Sequence, residues 1–387
     1  MKDSFRTLLT LGSIRERSRM IWNFVEKGSS AHFTLYLDNL DEVCERVCRM
    51  TRRNYPDLKI PLHSRMRHFE EGIWGGTLPE LYELIIPSVL LDAGAGPDYR
   101  YIDPQSQKVY TRSEALAVAS FHAFKDGVFS QDGSPQTDLF GLRNLSLEKL
   151  STAFQVREDN PLIGLEARLL VLNRFAEAMA RQKDLFKGTN PRLGLLFDSL
   201  FSKAQKQDQK IPASDVFDVL MNLLLPGWPD GLCLEGYALG DVGQHSKISP
   251  GLFPFHKLTQ WLCYSLLEPL QMAGVSILDS DTLTGLPEYR NGGLFLDGGV
   301  LELRDPRAWK LVYQQSDELV VEWRALTVCL LDEVLLCVRK KLSLSPDQLS
   351  MGQLLQAGTW LAGREIAKEK RPGGSPPLQI ATTGTLF

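Results

Sequence analysis

Residues 319–338 form a mostly apolar run in which Glu322, Trp323 and Arg324 stand side by side. Read as part of a helix over 317–341, the run is too apolar to be the solvated face of a surface helix. A chain containing it must wrap other elements around it. Burying an unpaired charge is strongly unfavourable, so Glu322 and Arg324 require partners or a ligand. A second segment repeats the combination. Asp281-Thr-Leu-Thr-Gly-Leu-Pro-Glu-Tyr-Arg-Asn-Gly-Gly293 sets Glu288, Tyr289 and Arg290 together on a loop flanked by Pro and Gly, a usual carrier of sites. Two carboxylate–arginine–aromatic groups suit a polar, phosphorylated, ring-bearing small molecule.

Helical periodicity dominates the rest of the chain. The spacing predicts helices over 13–27, 40–54, 79–91, 111–124, 146–155, 161–183, 191–202, 213–225, 254–272, 317–341 and 350–368. Ser13 with Glu16 reads as a capping box, and Pro161, Pro191 and Pro254 suit first helical turns. Strand signals are sparse: a hairpin at 99–102 and 108–110, and short extended pieces at 231–237, 274–278, 300–303 and 378–387. Polar, Pro- and Gly-rich loops fall at 125–138, 203–211, 226–251 and 369–377. The regular strand–helix alternation of a doubly wound sheet is missing. The expected fold is mainly α, a compact multi-helix domain with a few short strands and hairpins. It is taken as one domain over 1–387, with room for two lobes at about 1–210 and 211–387, the second carrying most site motifs.

At 387 residues, 43% apolar and 23% charged, the composition is that of an ordinary globular protein. A net charge of −4 argues against nucleic-acid or membrane-surface partners. The N-terminus lacks a signal-peptide pattern and no stretch reaches the ~20 apolar residues of a membrane span, so a cytoplasmic location is expected. The six cysteines show no zinc spacing and read as small buried hydrophobes. No metal site is expected.

Within Phe253-Pro-Phe-His-Lys-Leu-Thr-Gln-Trp-Leu-Cys-Tyr-Ser-Leu-Leu-Glu268, a helix starting near Pro254 puts His256 and Lys257 in its first turn. Cations there oppose the helix dipole, and a bound anion would remove the conflict. Lys257, Trp261, Tyr264 and Glu268 share one face; packing of the aromatics with snorkelling cations is the other reading. His63, Arg65, Arg67 and His68 offer either a phosphate cluster or a surface salt-bridge cluster. Leu91-Asp-Ala-Gly-Ala-Gly-Pro-Asp98 allows close backbone approach to a ligand, or simply ends a helix. It is not a dinucleotide fingerprint. Asp279 with Thr284-Gly285 echoes phosphoribosyl-diphosphate loops, but Leu286-Pro287 replaces the glycine-rich continuation. There is neither a nucleophile elbow nor a Walker loop.

Taken in order, His63-Ser-Arg-Met-Arg-His-Phe69, Leu91-Asp-Ala-Gly-Ala-Gly96, Arg112-Ser-Glu114, Asn160-Pro-Leu162, Gly240-Asp241, Pro254-Phe-His-Lys257, Leu283 to Gly293, Val321-Glu-Trp-Arg-Ala325, Gly358-Thr-Trp360 and Gly363-Arg364 are similar to the uracil-catabolism protein four family. That family is often labelled a uracil phosphoribosyltransferase, and the resemblance spans nearly the whole chain. Met66 and Gly243 stand where tryptophan is usual, Gln356-Ala-Gly-Thr lacks a Glu-Gly pair, and Thr383 replaces an aspartate. More faintly, Glu288-Tyr-Arg290 and Val321-Glu-Trp-Arg324 resemble segments of the helical enzymes that hydrolyse queuosine 5′-phosphate.

Both resemblances imply departure of a nitrogen leaving group from C1 of a ribose 5-phosphate through an oxocarbenium-like state. On that reading Glu288 faces C1, and Glu322 and Arg324 hold the leaving group or orient Glu288. Tyr289, Trp261 and Trp323 stack on the ring, and His256, Lys257 and Arg290 take the phosphate. Asp92 and Asp297 are reserve carboxylates, and Arg364 is a further binding candidate. The expected activity is N-ribosyl hydrolysis without a cofactor, on a phosphorylated ribosyl compound such as a phosphoribosylurea or a nucleotide. The alternatives are uracil transfer to phosphoribosyl diphosphate, which would bring Mg²⁺, and a non-catalytic binding or regulatory protein of the same pathway.

Overall fold

The structure, a computed structural model, describes residues 3–69, 75–229, 231–381 and 384. It is mainly α, with short two-stranded pairings between the helices. Two compact units are each gathered from separate stretches of chain. The first takes residues 1–63, 241–260 and 280–381; the second takes 64–240, 261–279 and 382–387.

The first unit is built around helix Glu318–Leu342. Residues 319–331 are buried on every side of it, as the apolar run demands. Helices Leu11–Glu26, Leu40–Asn54 and Tyr289–Asp297 pack against it, and Tyr289–Asp297 packs in turn on Trp360–Lys370. Beyond residue 331 the helix becomes one-sided, and Asp332 and Glu333 meet Arg15 and Arg19 at 2.9 and 3.3 Å. Arg339, Lys340 and Lys341 close it, where cations complement the dipole. Phe33–Leu35 pairs antiparallel with Leu301–Leu303, and Val242–Gln244 with Leu252–Pro254.

The second unit contains helices Leu78–Leu90, Arg112–Lys125, Leu165–Arg181, Leu195–Gln205 and Ala213–Leu224. The hairpin Arg100–Ile102 with Val109–Thr111 lies where it is expected. Helix Leu78–Leu90 starts with a reciprocal capping box between Thr77 and Glu80. Its other end is finished by fully buried Arg168, which donates to the carbonyls of Leu91, Ala93 and Gly94. The small residues of the 91–96 turn therefore admit a guanidinium from within the same unit. Among the described residues, no helix is long and apolar enough to cross a membrane.

Several local expectations are corrected. Glu288, Tyr289 and Arg290 are not on a loop: Glu288 is the N-cap of helix Tyr289–Asp297. Gly292 and Gly293 masked that helix, yet the first is there for packing, because a Cβ at 292 would lie 2.7 Å from the Trp323 ring. The helix placed at 13–27 begins at Leu11, and Ser13 bonds back to the Thr10 carbonyl at 2.8 Å instead of capping. Pro254 ends a strand, and the following helix starts at Lys257. The 350–368 helix is interrupted by a π-helical turn at Leu355–Thr359. The last expected strand is reduced to Gln379–Ile380 before the chain passes partly outside the described residues, which also exclude Thr383.

At Gly363 helix Trp360–Lys370 comes close to helix Tyr289–Asp297, since a Cβ there would sit 2.2 Å from the Arg290 carbonyl oxygen. Backbone cannot swing aside as a side chain can. Gly363→Ala is expected to destabilise the protein by about 1–3 kcal/mol through overpacking. Urea unfolding would show a lower midpoint at unchanged slope, and an unchanged midpoint would contradict this packing.

Candidate functional site

Asp241 organises the polar interior of the first unit. Its carboxylate accepts both Arg324 Nη atoms at 2.7 Å, and also the backbone N–H of Lys257 at 2.9 Å. Its carbonyl accepts the N–H groups of Phe255 and His256 at 2.9 and 3.3 Å. This fastening holds His256 in the left-handed region at φ 45° and sets the start of the helix at Lys257. The Arg324 guanidinium stands 4.1 Å over the Phe255 ring. Burial alone would push the Asp241 pKa up, but Arg324 and the Lys257 N–H outweigh it and hold it below the ordinary range.

Glu288 lies close by in sequence logic but is held differently. Its two carboxylate oxygens accept the N–H groups of Arg290 and Asn291, each at 2.7 Å. Burial pushes its pKa up, against the pull of those N–H groups and of the Lys257 and Arg290 charges. Arg290 donates Nη1 to the Gly374 carbonyl at 2.8 Å and lies 5.0 Å from the Tyr289 ring centre. Asn291 donates Nδ2 to the Leu286 carbonyl at 3.0 Å. Among the described residues, Arg290 Nε and Asn291 Oδ1 are buried without a hydrogen-bond partner. A buried donor and acceptor left open beside a helix N-terminus can serve a bound polar molecule or water. Among the described residues, Glu288 is thus flanked by a buried open donor on Arg290 and a buried open acceptor on Asn291.

The remaining expected residues are placed as follows. Glu322 accepts Ser30 Oγ at 2.5 Å and pairs with His245 Nε2 at 2.9 Å, while Ser30 Oγ also receives the N–H groups of His32 and Phe33. Two residues apart on a helix point to different sides, so Glu322 and Arg324 enter separate networks. Trp323 is core, donating Nε1 to the Gly292 carbonyl at 3.1 Å. His256 donates Nε2 to the Leu8 carbonyl at 2.9 Å, and burial pushes its pKa down. Asp297 is held by both Nη atoms of Arg371, and Arg364 lies 5.5 Å from the Trp360 ring centre.

Trp261 and Asp92 belong to the second unit. Trp261 is 6% exposed. Asp92 accepts Arg65 Nη1 at 2.8 Å and Ser113 Oγ at 2.5 Å. The basic run 63–68 does not gather: fully buried Arg65 takes Asp92, Arg67 takes Glu268, and His63 meets Gln356 at 3.0 Å. Gly243 backs onto Val321 and Phe255, leaving no room for a larger side chain there. Asp241, Ser30 and His245 were missed as polar anchors. Of these, only Gly240-Asp241 gave a signal, as a segment of family resemblance. Among the described residues, no group of three His, Cys, Asp or Glu side chains is placed to hold a metal.

These features define a helical protein with a buried, charge-lined polar interior at the start of two helices. The chain belongs to the family described as Protein of unknown function (DUF1688), whose match covers residues 7–387. It is 36% identical to "Uracil catabolism protein 4" of Lachancea kluyveri, over 98% of this chain and 98% of that protein. It is 38% identical to "Protein urg3" of Schizosaccharomyces pombe, over 100% of this chain and 99% of that protein.

Asp241→Asn should unmask the importance of the buried pair. It leaves Arg324 without its counter-charge, and such breaks cost about 3–5 kcal/mol. Because the Asp241 pKa is depressed when folded, its stabilisation is present above the ordinary carboxylate value of 3.8 and fades as pH falls below it. Denaturation followed against pH should therefore show a shallower acid loss in the variant than in the parent.

Proposed function

We propose that this chain is an enzyme of uracil catabolism that hydrolyses the N-ribosidic bond of a ribose 5-phosphate compound, a phosphoribosylurea or a nucleotide. The pathway is suggested by the printed name of the Lachancea relative. The chemistry is carried by one observation: Glu288 is a buried carboxylate flanked by Lys257 and Arg290, beside an open Arg290 donor and an open Asn291 acceptor.

In this reading the C1–N bond breaks with its electron pair leaving on nitrogen, and positive charge develops across C1 and the ring oxygen. Ionised Glu288 stabilises that charge and accepts the proton of the water that adds to C1, and that proton passes on to the departed nitrogen, restoring the carboxylate. Lys257 and Arg290 balance the 5-phosphate, and Tyr289 borders the sugar. The backbone N–H bonds to Glu288 fix its rotamer, so the carboxylate needs no reorganisation as charge develops. Hydrolysis is preferred to transfer because Thr284, the threonine of the would-be diphosphate loop, is buried against Gln260, with Oγ1 to Nε2 at 3.0 Å.

The test is an assay of the purified protein against two mixtures. One holds phosphoribosylurea and uridine monophosphate in water; the other holds uracil, phosphoribosyl diphosphate and Mg²⁺. Ribose 5-phosphate is expected from the first. Glu288→Gln keeps the shape and one N-cap acceptor but loses the charge, and should lower kcat by about 10²–10⁴-fold with the fold retained. Nucleotide formed only in the second mixture would replace hydrolysis by transfer, and full turnover by the variant would reject Glu288. Since the ionised form is the active one, kcat/KM should rise with pH along an acid limb centred above 4.5, the ordinary glutamate value.

A further inference from the structure

Asn291 sits in the first turn of helix Tyr289–Asp297, whose N-cap is Glu288. A polar side chain at that position ordinarily reaches back to the N–H of the N-cap residue. Here that N–H is taken, because Glu288 donates it to the Leu286 carbonyl at 2.9 Å. The same carbonyl also accepts Asn291 Nδ2 at 3.0 Å. Leu286 thus uses both lone pairs of its oxygen and pins the Asn291 amide by its nitrogen. The other corner of the amide, Oδ1, is an acceptor without a partner among the described residues, on a residue only 2% exposed.

An unpaired acceptor shut off from water costs free energy, so a ligand donor gains more there than at the surface. The neighbours narrow what that donor is. Each Glu288 carboxylate oxygen already accepts one N–H, from Arg290 and from Asn291, and lone pairs remain on both. Asn291 Oδ1 therefore belongs to an acceptor-rich turn that disfavours a phosphate oxygen beside it. In a ribose 5-phosphate compound the ring oxygen and the phosphate accept, and the sugar's donors are its hydroxyls. With C1 turned to Glu288, the nearest of these is the hydroxyl on the adjoining carbon, C2. Asn291 is the residue whose own N–H fastens that carboxylate, so its side chain starts from the same turn.

We propose that Asn291 determines which sugar is accepted: its Oδ1 takes the 2-hydroxyl of the ribose, so the site binds ribo compounds and rejects their 2-deoxyribo counterparts. This rests on the reading of Glu288 as the carboxylate facing C1 and adds the sugar that carboxylate serves. An analogue without the hydroxyl would leave the buried acceptor unpaired in the complex, which is how a polar site rejects a ligand lacking one group. The same bond tightens as charge grows at C1.

Calorimetric titration with ribose 5-phosphate and with 2-deoxyribose 5-phosphate tests it. Binding is measured in place of turnover, because a 2-hydroxyl draws electrons from C1 and alters C1–N cleavage by itself. The intact protein should bind ribose 5-phosphate at least about tenfold more tightly, a comparison that needs no variant to fold. Asn291→Leu, close in shape, should bring the two affinities together, whereas structural damage alone would weaken both and keep their ratio. Equal binding by the intact protein overturns the assignment and leaves Oδ1 to water, and binding of neither sugar also overturns it. A preference that survives Asn291→Leu but is lost in Glu288→Gln overturns it too, by moving the hydroxyl to the carboxylate. The two readings fail separately. Ribose 5-phosphate released from phosphoribosylurea or uridine monophosphate, with no preference between the sugars, removes only the role of Asn291. A preference that depends on Asn291, alongside full turnover by Glu288→Gln, removes Glu288 and leaves the ribose subsite.

Discussion

The buried pairing of Asp241 with Arg324 is the constraint on which the polar interior of the first unit rests. Neither charge is tolerable alone at this depth, since desolvation opposes each and only good geometry repays it. Two 2.7 Å bonds supply that geometry. The same aspartate then uses its remaining capacity on backbone, holding Phe255, His256 and Lys257 in place. One residue thus ties the long apolar helix to the turn that launches the next helix. The unusual backbone at His256 and the position of Lys257 follow from it.

Other buried carboxylates obey the same rule with different partners. Glu322 has Ser30 and His245, Asp297 has Arg371, Asp92 has Arg65 and Ser113, and Glu83 has Arg192. Glu288 is held instead by backbone N–H groups at the start of its own helix, as Asp138 is at the start of Leu139–Arg143. N–H donors lock the rotamer without neutralising the charge by contact. Lys257 and Arg290 act on it through their fields, and burial pulls the other way. A group left in that balance responds to what is placed beside it, whereas a closed pair does not.

Much of the helical architecture was legible because it depends on local patterns. The 40–54 and 213–225 helices appear within a residue of their expected ends, as does the long helix at 318–342. The 99–110 hairpin was readable from its turn chemistry. Helix Tyr289–Asp297 was not, since Gly292 and Gly293 lower helix propensity and their justification is a tertiary contact with Trp323 and Pro377. Proline misled at 161, 191 and 254, where it precedes the helix by several residues and serves the turn or strand before it.

The candidate site was legible in residue type and not in pairing. That Glu322 and Arg324 needed partners follows from their neighbours in an apolar run, and Glu288 with Arg290 stood out between Pro and Gly. Which partners they take depends on contacts such as Asp241 with Arg324 or Ser30 with Glu322, separated by 83 and 292 positions. By itself the sequence determined the mainly helical class, the buried central helix and the demand for counter-charges, because periodicity and desolvation act through near neighbours. Only the tertiary structure decided which carboxylates are closed into ion pairs and which, like Glu288, are held by backbone N–H groups. Long-range pairing is set by packing geometry, and no local pattern encodes it.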